Sequence, residues 1–334
     1  MFQGERSAMT DGLKVVSVFQ FSPESQQVLR EATSGDVVCI TRTEEFITRL
    51  GEADVVCSYW MPDNWRALAP HLRWLQCSGA GVDGLQPTGV LDSDSGVIVT
   101  TATGIHATTI SEYVFGSMLM FNRNWPEMMR LQVRHIWPRS ANWYNLSRRE
   151  LMDQTLAIIG LGHIGRRVAH LGRAFGMRVL ATRRSVSEGE QDPDVDQLYP
   201  MERLHDVLRE SDYIVLAVPL TPETDKLIGE PELRVMRNNA YLVNVARGRV
   251  IDEAALIRAL REGWIGGAGL DVATEEPLSS NSPLYTMPNV ILTPHISGVS
   301  VHYDDRLTKL FADNLRRYRA GETLRNRYEP QRGY

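Results

Sequence analysis

Short apolar runs alternate with amphipathic segments along most of this chain, and that rhythm restricts the fold more than any single motif. The runs KVVSVF (14–19), DVVCIT (36–41), ADVVCSY (53–59) and RWLQC (73–77) are separated by PESQQVLREA, TEEFITRL and NWRALAP, whose apolar residues recur at helical spacing. Runs rich in β-branched residues form strands, and parallel neighbours need a crossover of about a dozen residues, which the amphipathic segments supply. This first series closes near residues 97–100, after a loop rich in Gly, Pro, Asp and Ser. A second series opens at Thr155 and continues through RVLAT (178–182), YIVLAV (213–218), AYLVNVA (240–246), GGAGLDV (266–272) and NVILT (289–293), with helices such as 201–209 and 253–262 between strands. The expected class is α/β, with two Rossmann-like doubly wound domains, parallel sheets and an active-site cleft between the domains.

Residues 110–125 (ISEYVFGSMLMFNRNW) read as one long apolar helix linking the two series, capped by Thr108 or Thr109 with Glu112 in its first turn. A last amphipathic helix, 301–318, carries Leu307, Leu310, Phe311, Leu315 and Tyr318 at helical spacing and is expected to return to the first domain. The domains are therefore read as 12–106 plus 300–334, discontinuous, and 107–299. Residues 1–11 form a polar leader, expected to be disordered. A length of 334 residues suits two domains.

Composition narrows the class further. A hydrophobic share of 43% and a charged share of 23% are those of a soluble globular chain. The net charge of −5 gives no global attraction to nucleic acid or an anionic membrane. No stretch has the length of a membrane span, and the leader lacks the apolar centre of a secretion signal. Cys39, Cys57 and Cys77 show no metal-ligand spacing and are expected to be reduced and buried, so the expectation is a cytoplasmic protein with no metal.

At the head of the second series, TLAIIGLGHIG joins a strand to a glycine-spaced turn and a helix start. Gly160 permits the tight turn, Gly162 lets a pyrophosphate approach the backbone, and Gly165 lets helix and strand pack closely. His163 and Ile164 open the helix, whose free N–H groups and positive dipole end favour phosphate. The end of the next strand should carry an acid for the 2′-hydroxyl of NAD. Thr182, Arg183 and Arg184 stand there instead, a hydroxyl and two guanidiniums suited to a 2′-phosphate. NADP(H) is the expected cofactor, with NAD(H) possible; Ser185 and Ser187 add hydroxyls, while Glu188 and Glu190 are read as too far along the loop to act as the strand-end acid.

Three further segments fall at the ends of strands, where open α/β sheets bind ligands: Asn244-Val245-Ala246-Arg247-Gly248, Leu270-Asp271-Val272 through Glu275-Glu276-Pro277, and Thr293-Pro294-His295. With the glycine turn and the loop Ser78-Gly79-Ala80-Gly81-Val82-Asp83, their order and spacing resemble the D-isomer-specific 2-hydroxyacid dehydrogenases over nearly the whole chain from Lys14. The resemblance implies that Arg247 holds a substrate carboxylate and polarises its 2-oxo group, a task suited to a permanently charged planar fork. It implies that His295 exchanges a proton with the substrate oxygen while Glu276 fixes the imidazole. Glu275 competes for that assignment, and the family's acid directly before proline selects Glu276. Formate dehydrogenases of the superfamily carry glutamine in that role, which argues against formate.

By the same resemblance, Gly79, Ala80, Gly81 and Val82 offer backbone N–H groups to the substrate carboxylate. Val218, Pro219 and Thr224 lie beside the nicotinamide ribose, Ala246 adjoins the cofactor, and Asp271 lies near the nicotinamide amide. Trp60, within Tyr59-Trp60-Met61, is read as an apolar wall near the substrate side chain, with core packing an equal alternative. The expected reaction is reduction of a small 2-oxo acid, such as glyoxylate, hydroxypyruvate or pyruvate, to the D-2-hydroxy acid. Phosphoglycerate dehydrogenase chemistry and a non-catalytic dinucleotide sensor remain the alternatives. The segment RHIWPRSANW (134–143) and the terminal Arg332-Gly333-Tyr334 resemble the glyoxylate/hydroxypyruvate reductase branch, and a homodimer is expected.

Overall fold

In the computed structural model, the β-branched runs of the first series form β1 (Val15–Ser17), β2 (Val37–Cys39), β3 (Val55–Cys57), β4 (Trp74–Gln76) and β5 (Ile98–Thr100). They pair in parallel in the order β2-β1-β3-β4-β5, a doubly wound arrangement. β1, β3 and β4 are buried throughout because both faces of the sheet are covered, which is why these runs are continuous rather than alternating in polarity. The covering helices include α1 (Pro23–Thr33), α2 (Thr43–Arg49) and α3 (Trp65–Leu68). α1 begins where Ser22 accepts the N–H of Ser25 and proline occupies the first turn.

The structure describes residues 12–139, 149–187 and 189–330. The leader, Glu188, the 140–143 part of the Trp/Arg-rich segment and the terminal Arg332-Gly333-Tyr334 lie outside the described residues.

Two compact units divide the chain: Met1–His106 with Ser300–Tyr334, and Ala107–Val299. The closing helix α10 (Tyr303–Arg319) belongs to the first unit and buries Leu307, Phe311 and Leu315 in one cluster with Leu13, Leu29 and Trp74. Trp74 meets the Phe311 ring edge-on at 5.3 Å, stacks on Tyr318 at 5.6 Å, and donates its indole N–H to Thr100 Oγ1 at 2.8 Å.

The second unit holds β6 (Thr155–Ile159), β7 (Arg178–Arg183), β8 (Gln197–Pro200), β9 (Tyr213–Leu216), β10 (Tyr241–Asn244), β11 (Gly267–Leu270) and β12 (Val290–Leu292). These strands are parallel in the order β12-β11-β10-β9-β6-β7-β8, so the chain reverses direction between β6 and β9. Its helices are α4 (Ala107–Asn122), α5 (Trp125–Val133), α6 (His163–Ala174), α7 (Leu204–Glu210), α8 (Glu230–Val235) and α9 (Glu253–Glu262). Two apolar clusters cover the sheet: Ala157 and Ile159 of β6 enter one, Leu156 and Ile158 the other.

Three local expectations change. The helix read over 110–125 starts at Ala107, so Thr108 and Thr109 lie inside its first turn rather than capping it. It stops at Asn122 because Asn124 turns left-handed (φ 51), and Trp125-Pro126 then opens α5. The helix read over 201–209 begins as a 3-10 turn at Met201–Arg203 before α7. β8 was not expected; it is a short edge strand ending in Pro200, a position where a missing N–H costs no ladder bond.

Trp74→Ala removes a fully buried ring and both aromatic contacts to α10. We expect a loss of about 3–5 kcal/mol in urea denaturation, with the loss confined to the transition of the first unit if the units unfold separately.

Candidate active site

The strands of the second sheet run parallel, so their carboxyl ends share one edge, and the expected cofactor segments and those carrying Arg247, Glu276 and His295 leave from it. At the end of β6, Gly160 adopts φ 103, and a Cβ there would lie 2.7 Å from the Ala217 carbonyl oxygen. A Cβ on Gly165 would lie 2.2 Å from the Gly160 oxygen, whereas Gly162 has nothing within 4 Å. Gly162 precedes α6 without a side-chain cap, so no side chain takes the first helical N–H groups. His163 is exposed and Ile164 half-buried. This cradle fits a dinucleotide pyrophosphate: the closed side needs glycine for packing, and the open side admits an anion.

At the end of β7 the structure corrects two readings. The strand runs one residue further than expected, to Arg183, so Thr182 is interior to the strand and fully buried rather than at its exposed end. Glu190 is not remote. The Ser187 N–H donates to Glu190 Oε2 at 2.9 Å and the Glu190 N–H to the Ser187 carbonyl at 3.0 Å, folding the loop back so that Glu190 pairs with Arg183. Arg183 also donates to the Ser185 carbonyl at 2.9 Å and lies 3.9 Å from Asp192. Arg184 is half-exposed and pairs with Glu223 at 3.5 Å.

Beyond β9, Val218 lies against Gly160, Pro219 is exposed, and the Thr224 hydroxyl closes the turn by donating to the Pro219 carbonyl at 2.6 Å and accepting from the Thr221 N–H at 2.8 Å. After β10, Asn244 clasps the next loop. Its Oδ1 accepts from the Ala246 N–H at 3.0 Å and its Nδ2 donates to the Arg247 carbonyl at 2.9 Å. Ala246 is buried; Arg247 is half-buried and extended, with Nη1 donating to the Ala246 carbonyl at 2.7 Å. Gly248 is required here because a Cβ would overlap the Ala273 carbonyl at 1.9 Å.

Asp271, 1% exposed, organises the loop that follows β12. Its Oδ1 accepts from the Ile296 N–H at 2.9 Å, its Oδ2 from the Ser297 N–H at 2.9 Å, and its carbonyl from the His295 N–H at 2.7 Å. The Thr293 hydroxyl is 2.7 Å from Asp271 Oδ1 and 2.8 Å from the Tyr113 oxygen of α4. A hydroxyl has one proton, so Thr293 donates to the carboxylate and Tyr113 donates to Thr293. Burial pushes the Tyr113 phenol up to about 12, which keeps it a donor at neutral pH.

This anchoring holds His295 in the left-handed region at φ 54. Glu276 Oε2 is 2.7 Å from His295 Nδ1, and Glu276 Oε1 accepts from the Ala273 N–H at 3.1 Å. With Nδ1 held by the carboxylate, Nε2 is the nitrogen left for proton exchange, on a side chain 48% exposed. Glu275 is exposed. A cavity of about 720 Å³ opens beside the pair, lined by Asp271, Glu276, Tyr285, Leu292, Thr293 and His295.

In the first unit, the loop after β4 has its carbonyls tied down: Tyr303 donates to Ser78, the Ala102 N–H to Gly79 at 2.9 Å, and the Cys77 thiol to Gly81 at 3.3 Å. Among the described residues no partner takes the N–H groups of Gly79, Ala80, Gly81 or Val82. Ala80 is exposed and Val82 buried. Met61 lies in the core, Trp60 is half-buried with its ring 5.3 Å from Phe46, and Tyr59 is 61% exposed. Core packing therefore accounts for Met61 and for much of Trp60.

Residues 115–297 match the model of the D-isomer specific 2-hydroxyacid dehydrogenase NAD-binding domain. The chain is 36% identical to a glyoxylate reductase of Aeropyrum pernix over 261 residues, 77% of this chain and 76% of that protein. The chain belongs to the D-isomer-specific 2-hydroxyacid dehydrogenases. A family member from Aeromonas salmonicida, 31% identical, superposes with a TM-score of 0.82 over 96% of this chain and 100% of its own. An NADPH-dependent glyoxylate/hydroxypyruvate reductase from Sinorhizobium meliloti, solved with NADP and sulfate, is 27% identical with a TM-score of 0.80 over 96% of this chain and 100% of its own.

The dehydrogenase is an oxidoreductase that reduces a 2-oxo acid with a nicotinamide dinucleotide. Among its described residues no group of three or more His, Cys, Asp or Glu side chains is placed to hold a metal ion, and no helix is long and apolar enough to cross a membrane. The sequence reading missed the loop-anchoring function of Asp271, its link to Tyr113 through Thr293, and the tie from Tyr303 to Ser78. Thr293, two residues before His295 in the Thr293-Pro294-His295 segment, was the one local signal for the link to Tyr113.

Asp271→Asn replaces one charged acceptor among these buried bonds. We expect the enzyme to lose about 1.5–3 kcal/mol of stability and kcat to fall more than the affinity for dinucleotide, as read by calorimetric binding beside steady-state kinetics.

Proposed function

We propose that this dehydrogenase is an NADP(H)-preferring reductase of small 2-oxo acids, of the size of glyoxylate, hydroxypyruvate or pyruvate, forming the D-2-hydroxy acid. The observation that carries the reading is the chain from the Ala273 N–H through Glu276 to His295 Nδ1, which leaves Nε2 as the exchangeable site. When bound, the nicotinamide supplies the hydride. His295 Nε2 donates its proton to the substrate carbonyl oxygen, and Glu276 stabilises the imidazolium and fixes its tautomer. Arg247, on a loop clasped by Asn244, binds the substrate carboxylate and stabilises negative charge developing on the oxygen. The N–H groups of the 79–82 loop are assigned to the same carboxylate, and Ala246, Val218 and Pro219 to the cofactor's surroundings. Asp271 acts through the loop carrying His295, because its own carboxylate is buried and engaged.

Support for NADP(H) comes from Arg183 and Arg184 at the end of β7 and from the NADP bound in the Sinorhizobium meliloti relative. Support for a homodimer comes from α5, where Trp125, Met129 and Val133, four residues apart, share one face and are 56%, 57% and 80% exposed. Cys57 and Cys77, both buried and outside any disulfide, support a reducing compartment such as the cytoplasm.

Following NADPH and NADH oxidation with glyoxylate, hydroxypyruvate, pyruvate and branched 2-oxo acids tests the substrate and cofactor readings together. We expect the highest kcat/KM with a small acid and NADPH; preference for NADH would refute the cofactor reading, and turnover of none would favour a sensor. His295→Gln should bind dinucleotide normally and lose about 10²–10⁴ in kcat. Arg247→Ala should raise the substrate KM and lower kcat. A sedimentation mass of one chain would remove the dimer.

A further inference from the structure

The end of β7 holds more than a pair of cations. Arg183 forms an ion pair with Glu190, and each side chain is about a third exposed, at 30% and 31%. Asp192 also lies 3.9 Å from Arg183, but it is committed elsewhere: Arg166 grips it with two bonds of 2.9 and 2.8 Å, and its side chain is 6% exposed. Glu190 is the more exposed of the two carboxylates. Beyond Arg183 its carboxylate is held by the Ser187 N–H, on a turn that is otherwise at the surface. That N–H and the guanidinium keep the Glu190 carboxyl below the usual carboxylate range, so it is ionised at neutral pH.

We propose that Glu190 is an intramolecular stand-in for the cofactor 2′-phosphate, a carboxylate that occupies Arg183 until the phosphate displaces it and thereby sets the degree of discrimination between NADP(H) and NAD(H). The inference rests on the assignment of Arg183 to the cofactor. A phosphate monoester carries nearly two charges and three acceptor oxygens against one charge and two oxygens for the carboxylate, so it is the stronger partner for a guanidinium. The displaced glutamate keeps its charge in water on the exposed turn. Discrimination for phosphate is thus weaker than two arginines alone would give, because the phosphate must break an existing pair and approach a nearby carboxylate. The ordinary reading, an ion pair that only closes a surface turn, predicts no effect on any ligand.

The test is calorimetric binding of 2′,5′-ADP and of 5′-AMP, probes that differ by the phosphate alone, to the full chain with and without Glu190→Gln. We expect the variant to bind 2′,5′-ADP about three- to tenfold tighter at low salt, in the range an exposed ion pair plus one removed repulsion supports, with 5′-AMP affinity changed less than twofold. Arg183→Ala should abolish the gain when combined with Glu190→Gln. Unchanged 2′,5′-ADP binding in Glu190→Gln would overturn the proposal, and so would weakened 5′-AMP binding, which would make Glu190 a ribose acceptor. The cofactor reading is judged separately, by whether the unmodified chain prefers 2′,5′-ADP to 5′-AMP. A chain that prefers 5′-AMP but gains phosphate affinity on Glu190→Gln would retain the stand-in and lose the NADP(H) assignment.

Discussion

Parallel strand pairing is the constraint on which the site of the second unit depends. Each strand must be followed by a crossover before the next can pair, so every loop leaving a carboxyl end emerges on the same edge. Gly160, Arg183, Val218, Arg247, Asp271 and His295 are far apart in sequence and share that edge for this reason. The direction of winding reverses between β6 and β9, whose registers pair Ile159 with Leu216, and such a switch point is where open α/β sheets bind their ligands. The two backbones crowd each other at that point. Gly160 passes so close to Ala217 that any side chain would displace one strand end or the other. The glycine is thus set by the packing of two strands before any phosphate is considered.

The features legible in the sequence were those with a local signature. α9 was read with its observed limits, and the structure shows what makes those limits sharp: Asp252 accepts the N–H of Ala255 and Gly263 takes the left-handed turn at its end. The glycine turn and the Glu276-Pro277 and Pro294-His295 neighbourhoods were legible as short motifs. Interactions between residues distant in sequence were not. Tyr303 and Ser78 are brought together only when α10 returns to the first unit, and Tyr113 meets Thr293 across 180 residues. Neither leaves a periodic trace. Glu190 was misjudged for a related reason: distance along a loop was taken as distance in space, and a turn closed by two bonds to Ser187 reversed it. Asn124 escaped notice as a helix break because asparagine enters the left-handed region at low cost without interrupting an apolar pattern.

The charge arrangement at β7 shows why composition at a strand end is an incomplete guide to what binds there. Three guanidiniums, from Arg166, Arg183 and Arg184, face Glu190, Asp192, Asp194 and Glu223. Counted from sequence, the strand end is cationic; counted in space, the cations are already paired. Recognition of an anion then depends on how firmly each pair is held, and exposure orders them: the Arg166–Asp192 pair has a side chain 6% exposed, both members of the Arg183–Glu190 pair are about a third exposed at 30% and 31%, and the Arg184–Glu223 pair is the most open at 48% and 70%.

The left-handed backbone of His295 has a physical origin in the same terms. That conformation costs a non-glycine residue about 1–2 kcal/mol, and histidine is among the side chains that tolerate it. In an extended chain, successive N–H groups point to opposite sides. The turn at His295 instead directs three in a row to one residue: the His295 N–H to the Asp271 carbonyl, and the Ile296 and Ser297 N–H groups to its carboxylate. Hydrogen bonds to a buried charged acceptor contribute about 1.5–3 kcal/mol each, so two of them exceed the backbone cost. Were residue 295 extended, the Asp271 carboxylate would lose partners it cannot replace from solvent. The same turn sends the imidazole the other way, to Glu276. The buried aspartate and the exposed histidine are opposite faces of one backbone reversal, which is why a buried side chain governs the placement of the one assigned to carry the proton.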